Sequence, residues 1–106
     1  MKFSLCMIVK NESEILRDCL DSLKDIMDEI IIVDTGSTDE TKKIAAEYTP
    51  YLYDYAWNDD FAAARNFAFS KATGDYIYSA DADEVLDHEN QDKLKALKRA
   101  MLPEVE

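Results

Sequence analysis

Apolar and polar residues along this chain follow a pattern whose period changes repeatedly from strand-like to helix-like. Residues 3–9 are almost continuously apolar, which is typical of a strand covered on both faces. Residues 29–33 include three consecutive isoleucines and predict a second buried strand, because β-branched side chains favour pleated structure. Between them the apolar positions have helical spacing and fall on one side of a helix that starts near 11–13: Ile15, Leu16, Cys19, Leu20 and Leu23.

The second half of the chain continues the alternation. A loop at 34–40 leads into a second helix, and Ser37 with Glu40 has capping-box spacing. Its core-facing residues are predicted to be Ile44, Ala45 and Tyr48. Pro50 ends this helix, and residues 51–55 predict a short third strand.

A third helix is predicted to be capped by residues 58–60 and to end near Gly74, which suits the position after a helix. Its inner face is predicted to be Phe61, Ala64, Ala68 and Ala72. Residues 75–80 predict a fourth strand, and a last helix opens at 87–90 and stops before Pro103. The residues expected to face inward from it are Leu94, Leu97 and Met101.

Strands separated by helices imply right-handed crossovers and an α/β fold with a mainly parallel sheet flanked by helices. The length of 106 residues predicts a single domain, 1–106. In such sheets, ligands bind beyond the carboxyl ends of the strands. The polar residues that follow each predicted strand are therefore the candidates for function.

Composition narrows the possible partners. The formal charge is −11, with no basic stripe, which argues against nucleic acid as a partner and favours a cation as mediator for any anionic ligand.

Cys6 and Cys19 lie in apolar runs without CxxC spacing and are predicted to be reduced core residues. No apolar run approaches the ~20 residues of a membrane span, and the first residues do not resemble a signal peptide. The sequence predicts a cytoplasmic protein; peripheral contact of a longer protein with the inner face of a membrane would leave no mark in this segment.

Two acidic residues follow the fourth predicted strand. Asp81 and Asp83 are two apart, and in an extended segment their carboxylates would point the same way. Both could reach one ion, and hard oxygen ligands suit Mg²⁺ or Mn²⁺. The alternative is a solvated acidic loop that caps the last helix, which is common in acidic proteins. The residues alone leave both interpretations open.

Three further polar residues have competing interpretations. Asp34 ends an apolar run, where its carboxylate could accept backbone N–H bonds from the following turn or hydrogen bonds from a nucleobase or ribose. Arg65 could pair with a surface acid or contact a diphosphate. His88 could be an exposed helix-start residue or a metal ligand. The chain has neither a GxGxxG nor a Walker loop, which argues against dinucleotide and P-loop NTPase folds.

Four segments resemble the signatures of family 2 glycosyltransferases in content, order and spacing. They are SLCMIVKNE at 4–12, IVDTGSTDET at 32–41, FAAARN at 61–66 and GDYIYSADADE at 74–84. The resemblance extends over roughly residues 3–90, and the combination is far more specific than any single motif. It is nearest to the bacterial subgroup that resembles lipopolysaccharide-core β-glucosyltransferases.

The resemblance implies a GT-A, Rossmann-like nucleotide-binding half and inverting transfer from a UDP-sugar or similar donor. It places Val9 and Glu12 by the base and ribose, and Asp34 on the base. It places Arg65 near the diphosphate, Asp81 on the ribose or sugar side, and Asp83 on a metal ion, Mn²⁺ or Mg²⁺. The acceptor would be a saccharide, lipid or protein in cell-envelope polysaccharide synthesis.

Two departures from the family pattern matter. Lys10 stands where many relatives carry an aromatic residue that stacks on the base. Family members are usually much longer, so the general base is expected beyond residue 106 and the chain is expected to be part of a longer enzyme. The alternative is a catalytically inactive module that only binds nucleotide or that self-associates as a homo-oligomer.

Overall fold

The computed structural model describes residues 2–100 and confirms the alternation of strands and helices. In chain order, the elements are β1 (Phe3–Val9), α1 (Leu16–Leu23), β2 (Glu29–Asp34), α2 (Thr41–Tyr48), β3 (Leu52–Asp54), α3 (Phe61–Lys71), β4 (Tyr76–Ser79) and α4 (His88–Ala100). Met101 and Pro103, which the sequence places at the end of α4, lie outside the described residues.

The strands form one sheet in the order β3-β2-β1-β4, and every neighbouring pair is parallel. The predicted parallel sheet is therefore confirmed. The two long strands, β1 and β2, lie in the centre, and all of β2 is buried. Because the strands are parallel, the loops that follow them meet at one edge of the sheet.

The sheet is covered on both faces, as the continuous apolar runs predict. Successive side chains of β1 point to opposite faces. Phe3, Leu5 and Met7 pack in a cluster with Leu16 and Leu20 of α1. The same cluster also receives Ile44 and Ala45 from α2 and Leu94 from α4. The first, second and fourth helices therefore contribute side chains to the core on one face of the sheet.

The third helix covers the opposite face. Cys6 of β1, Ile31 and Val33 of β2 and Ala68 of α3 form this smaller core. Small alanines bring α3 close to the sheet, since no long side chain separates them. Burial raises the pKa of the Cys6 thiol to about 11, with a further contribution from the charge of Glu29. Both Cys6 and Cys19 are buried free thiols, as predicted.

Several details of the predicted helices are wrong. The first helix begins at Leu16, because residues 13–15 form a turn. Ser37 and Glu40 do not form a capping box: the Ser37 hydroxyl accepts from the Asn11 N–H instead, at 2.9 Å. The Thr41 N–H at the start of α2 is bound by the Asp39 carboxylate, at 2.9 Å. In contrast, Asp60 caps α3 as predicted, accepting from the Ala63 N–H at 3.0 Å.

Some residues predicted to face the core are exposed, and Gly74 has a different role. Ile15, Phe61 and Leu97 retain 37%, 45% and 42% of their accessible surface. Gly74 does not follow the helix end directly, since Ala72 already ends α3 in an extended conformation. A Cβ at Gly74 would lie 2.4 Å from the Ser4 hydroxyl oxygen, so this position has no room for a side chain.

Candidate functional site

The loops after β1, β2 and β4 meet at the carboxyl edge of the sheet. Val9 is in register with Asp34 across β1 and β2, and the Thr35 N–H donates to the Val9 carbonyl at 3.0 Å. On the other side, the Ala80 N–H donates to the Cys6 carbonyl at 3.3 Å. The polar residues that follow three separate strands are thereby brought to one place, as the topology predicts.

Asp34 is a buried carboxylate with only one of its two oxygens satisfied. It is 2% exposed. Its Oδ1 accepts from the N–H groups of Gly36 and Ser37, at 2.9 and 2.8 Å. Its Oδ2 is buried and has no hydrogen-bond partner among the described residues. The turn-capping interpretation is confirmed for one oxygen, and the other oxygen retains its full capacity to accept a hydrogen bond.

Lys42, whose charge interacts with that of Asp34, is already paired with another carboxylate. Lys42 Nζ lies 2.8 Å from Asp54 Oδ1, at the end of the neighbouring β3. The hydrogen bond to Asp54 raises the pKa of Lys42, and the charge of Asp34 contributes to the same direction. Lys42 therefore stays protonated, and it makes no hydrogen bond to Asp34 Oδ2.

Hydrogen bonds fasten the β1 loop to the β2 loop. Asn11 has a left-handed backbone (φ 53°), and its side-chain oxygen accepts from the Thr38 N–H at 2.8 Å. The Glu12 N–H donates to the Thr41 hydroxyl at 2.8 Å. The Thr41 hydroxyl in turn donates to Asp39. This bond lowers the pKa of Asp39 to about 2, against the opposing effect of burial. The backbone that carries Glu12 is thus held rigidly beside Asp34.

A cleft of about 230 Å³ opens at this edge between the β1 loop and the start of α3. It is lined by Ile8, Val9, Lys10, Glu12, Thr35, Trp57 and Phe61. The sequence predicted Val9 and Glu12 here. It did not predict Trp57 here, and it placed Phe61 on the inner face of the third helix. A tryptophan shortly after the third predicted strand was the signal that the sequence offered for Trp57.

A second, narrower cleft adjoins the first and shares Ile8 and Phe61 with it. Arg65 and Asp81 line this second cleft. The Arg65 guanidinium lies over the Phe61 ring, 4.7 Å from its centroid. Arg65 forms no ion pair within residues 2–100. Arg65 therefore lines the cleft that contains Asp81 without an acidic partner among these residues.

The acidic run after β4 forms a turn and not the expected extended segment. The Glu84 N–H donates to the Asp81 carbonyl, and the Asp81 N–H donates to Glu84 Oε1, both at 3.0 Å. The extended backbone predicted for residues 81–83 was wrong, because Ala82 and Asp83 form a turn. Asp83 is exposed and lines neither cleft.

The turn after β4 carries three acidic side chains, those of Asp81, Asp83 and Glu84. Burial raises the pKa of the Cys19 thiol to about 11, and the charges of Glu84, Asp83 and Asp81 raise it further. Asp81 and Asp83 make no ion pair in the described part of the chain. No group of three or more His, Cys, Asp or Glu side chains within residues 2–100 is arranged to hold a metal. The oxygen donors at the turn suit Mg²⁺ or Mn²⁺, with water and ligand oxygens completing the shell.

His88 is the first residue of α4 and is exposed. Asp87 caps this helix by accepting from the Asn90 N–H at 2.8 Å.

Another cavity, of about 510 Å³, lies at the opposite edge of the sheet between α1, α2 and the start of β2. Its charged side chains pair with protein groups, as Arg17 does with Glu47 at 2.9 Å. This cavity therefore lacks free polar groups suited to a ligand.

Sequence comparison identifies long relatives. The chain is 55% identical over 83 residues to a TPR repeat-containing protein of Synechococcus elongatus, covering 78% of this chain and 21% of that protein. It is 38% identical over 96 residues to the SPbeta prophage-derived glycosyltransferase SunS of Bacillus subtilis, covering 89% of this chain and 23% of SunS. The chain therefore spans about a fifth of the length of these relatives.

Structure comparison identifies the same fold in known glycosyltransferases. TarS of S. aureus, in a crystal structure with UDP-GlcNAc, matches with a TM-score of 0.72 and 26% identity over 93% of this chain and 30% of TarS. Glucosyl-3-phosphoglycerate synthase of Mycobacterium tuberculosis, crystallised with Mn²⁺ and UDP-glucose, matches with a TM-score of 0.64 and 23% identity. That match covers 79% of this chain and 34% of the synthase, and it supports the fold alone.

No helix within residues 2–100 is both long and apolar enough to cross a membrane.

The match to a family model decides which family the chain belongs to. The model of glycosyl transferase family 2 matches residues 4–100, which include β1 except for Phe3, the three other strands and the residues that line both clefts. With a parallel sheet of GT-A type and an open cleft of about 230 Å³ at its carboxyl edge, this chain belongs to glycosyl transferase family 2.

Proposed function

We propose that this chain binds a nucleotide-diphosphate sugar, a UDP-sugar, across the two clefts and takes part in inverting glycosyl transfer. The observation that carries the proposal is Oδ2 of Asp34, a buried acceptor without a partner in residues 2–100. Asp34 itself does not line the first cleft, but its strand partner Val9 and the next residue, Thr35, do. A buried acceptor without a partner costs free energy, which a ring N–H of a nucleobase would recover. The family 2 membership of the chain supports the same assignment.

The remaining candidate residues follow the order of groups in such a donor. Val9 and Glu12 line the first cleft, on the side of the base and ribose. Arg65 and Asp81 line the second cleft, where a guanidinium fork suits a diphosphate and a carboxylate suits sugar hydroxyls. TarS was crystallised with UDP and with UDP-GlcNAc, which supports a uridine nucleotide as the first ligand to test.

We assign the metal to the acidic turn. Asp83, with Asp81, would hold Mn²⁺ or Mg²⁺, which when bound supplies charge stabilisation for the departing diphosphate. In the transfer, an acceptor hydroxyl attacks the anomeric carbon and loses its proton to a general base. The bond from that carbon to the diphosphate breaks, and its electrons leave with the nucleotide. Arg65 would bind the diphosphate while this charge develops.

Calorimetry of the folded chain with UDP, GDP and dTDP, with and without Mn²⁺, tests this proposal. We expect UDP to bind, and to bind at least about tenfold more tightly with the metal, because a divalent cation offsets repulsion between the acidic turn and the diphosphate. Asp83→Asn should remove the metal-dependent part. Asp25→Asn is the matched control, since it removes the same charge from an exposed position between α1 and β2, at the opposite edge of the sheet. Absence of binding to all three nucleotides by a chain with an intact thermal transition would overturn the proposal.

A second candidate function is self-association without catalysis. Within the described residues, β4 is an edge strand, and apolar side chains beside it are exposed. Ile77, Val85 and Leu97 retain 37%, 59% and 42% of their accessible surface. A second copy of the chain could pair along this edge and cover those side chains. Light scattering over a range of concentrations tests it: a dimer supports this candidate, and a monomer at all concentrations contradicts it.

A further inference from the structure

Two exposed aromatic side chains line the first cleft, and neither belongs to a hydrophobic core. Trp57 is 42% exposed and Phe61 is 45% exposed. Large aromatic side chains left in water contribute little to the stability of a small domain, whereas in a cleft they offer flat surfaces for a ligand. Their position, opposite the β1 loop and next to the β2 loop, places them at the end of the site where Asp34 is buried.

The loop between β3 and α3 holds the Trp57 ring in place. The indole Nε1 donates to Asp59 Oδ1 at 3.0 Å, and Asp59 has a left-handed backbone (φ 61°). The Asp60 N–H donates to the Asn58 side chain at 3.2 Å within the same loop. The polar atom of the indole is therefore already satisfied by the protein. What remains for a ligand is the apolar face of the ring.

Phe61 lies between the two clefts. One face of its ring carries the Arg65 guanidinium at 4.7 Å, an arrangement that favours a cation over an aromatic ring. The ring also lines the first cleft together with Trp57. A planar group in the first cleft would thus contact aromatic carbon, while an anionic group attached to it would reach the guanidinium in the second cleft.

We propose that Trp57 and Phe61 form the surface on which the nucleobase of the donor stacks. This inference rests on the proposed nucleotide-sugar binding and specifies how the base is held. Lys10, on the facing wall of the cleft, is a flexible cation that offers no flat surface. Stacking is therefore provided from the loop before α3 and the start of that helix, and not from the β1 loop. Because every base has a π-face, this surface confers affinity, and Asp34 confers the choice of base.

Trp57 is the only tryptophan in the chain, so indole fluorescence reports on this one position. We expect UDP to quench the emission in the presence of Mg²⁺, which is preferred here because Mn²⁺ is itself a paramagnetic quencher. Inorganic pyrophosphate, which has the charge but no base, should leave the emission unchanged. Quenching by UDP but not by pyrophosphate supports the proposal. Equal quenching by both, or by neither while calorimetry detects bound UDP, overturns it.

The UDP affinity of Trp57 variants tests the stacking surface independently of fluorescence. We expect Trp57→Leu to weaken UDP binding by on the order of tenfold and Trp57→Phe to retain most of the affinity, because phenylalanine still stacks. Tyr51→Leu is the matched control, since Tyr51 is an aromatic residue of similar exposure (46%) outside both clefts. Unchanged affinity in Trp57→Leu would overturn stacking but leave the proposed function standing. A folded wild-type chain that binds no nucleotide would overturn the proposed function, and the stacking surface with it.

Discussion

The strand β2 begins and ends with a buried carboxylate, and the two ends of the strand differ in how those groups are satisfied. Glu29 opens the strand and is 8% exposed, and Asp34 closes it and is 2% exposed. Glu29 precedes and Asp34 follows the same apolar run. Burying either carboxylate without hydrogen-bond partners would cost free energy. Hydrogen-bond donors satisfy both oxygens of Glu29 but, among the described residues, only one oxygen of Asp34.

Glu29 is surrounded by donors. It accepts from the Ser4 hydroxyl at 2.8 Å, and from the Thr73 N–H and hydroxyl at 2.8 and 2.9 Å. Lys2 Nζ lies 3.6 Å from Glu29 Oε2, the oxygen that also accepts from the Thr73 hydroxyl. The Ser4 hydroxyl also accepts from the Gly74 N–H at 2.9 Å, so the carboxylate ties β1, β2 and the turn before β4 together. This is a structural carboxylate with no capacity left for a ligand.

Asp34 differs because its Oδ2 has no partner in residues 2–100. Its other oxygen holds the Gly36–Ser37 turn in position. The difference teaches that burial of an acidic residue does not identify a site, whereas an unsatisfied buried oxygen next to a cleft does. Substitutions at the two carboxylates and a change of pH test this contrast.

The largest effect is expected from Glu29→Ala, which should lower the free energy of unfolding by about 3 kcal/mol, because buried donors lose a charged acceptor. Thermal and urea unfolding would measure it. Nucleotide affinity should be unchanged below the transition. Glu47→Ala removes a solvent-exposed partner of Arg17 and should cost much less. Equal losses in the two variants would show that Glu29 is not the structural link described above.

Asp34→Asn should have the opposite effects: it should weaken nucleotide binding and leave the free energy of unfolding almost unchanged. The amide oxygen can still accept from the Gly36 and Ser37 N–H groups, so stability should change little. The position of Oδ2 would carry an NH₂ donor, and UDP affinity should fall by roughly tenfold, as for loss of a charged hydrogen bond. Calorimetry measures the affinity. Asp54→Asn, in register with Asp34 on β3 and 72% exposed at its side chain, is the control. If Asp54→Asn weakens binding as much as Asp34→Asn, a general loss of charge explains the result.

The smallest effect is expected on the free energy of unfolding when the pH is lowered. Burial acts to raise the pKa of Glu29, but the hydrogen bonds from Thr73 and Ser4 outweigh it and hold the pKa below its usual value of 4.5. A carboxylate whose pKa is lower in the folded state stabilises the fold above the unfolded-state pKa, and that contribution disappears as the pH falls through the folded-state value. Unfolding free energies measured from neutral to acidic pH should therefore decline in wild type below about pH 4.5. Glu29→Gln should decline less steeply, and identical slopes would contradict the assignment.

Much of the fold could be predicted from the sequence. The buried strands of β1 and β2 followed from continuous apolar runs, and the parallel sheet followed from the alternation of strands with helices. The errors occurred where local patterns compete with partners far along the chain. Ser37 has the spacing of a helix cap, but its hydroxyl is used by Asn11, 26 positions away. Gly74 resembles a helix terminator, but Ser4, 70 positions away, is what excludes a side chain there.

The candidate site could be predicted only in part. Position after a predicted strand correctly brought Glu12, Asp34 and Asp81 to one edge, because parallel strands share that edge. Val9, which ends β1 at the same edge, was named from the family resemblance alone. The arrangement of Asp81 and Asp83 was wrong, since their run folds into a turn closed by Glu84. Phe61 was missed, because helical spacing alone does not distinguish an aromatic residue that faces a core from one that lines a cleft. Trp57 was missed, because it lies in the loop before α3, where no periodic pattern shows which side chains line a cleft.

The sequence by itself determined the family, the α/β alternation and the edge of the sheet that carries function. It did so because apolar periodicity and motif spacing are local properties of the chain. Only the tertiary structure decided which buried carboxylate is satisfied and which is not. Glu29 receives its donors from residues 25 and 44 positions away, and Asp34 receives only the two N–H groups of its own turn. Whether a buried carboxylate finds hydrogen-bond donors depends on residues that only folding brings together. The local sequence pattern around the carboxylate does not show which residues these are.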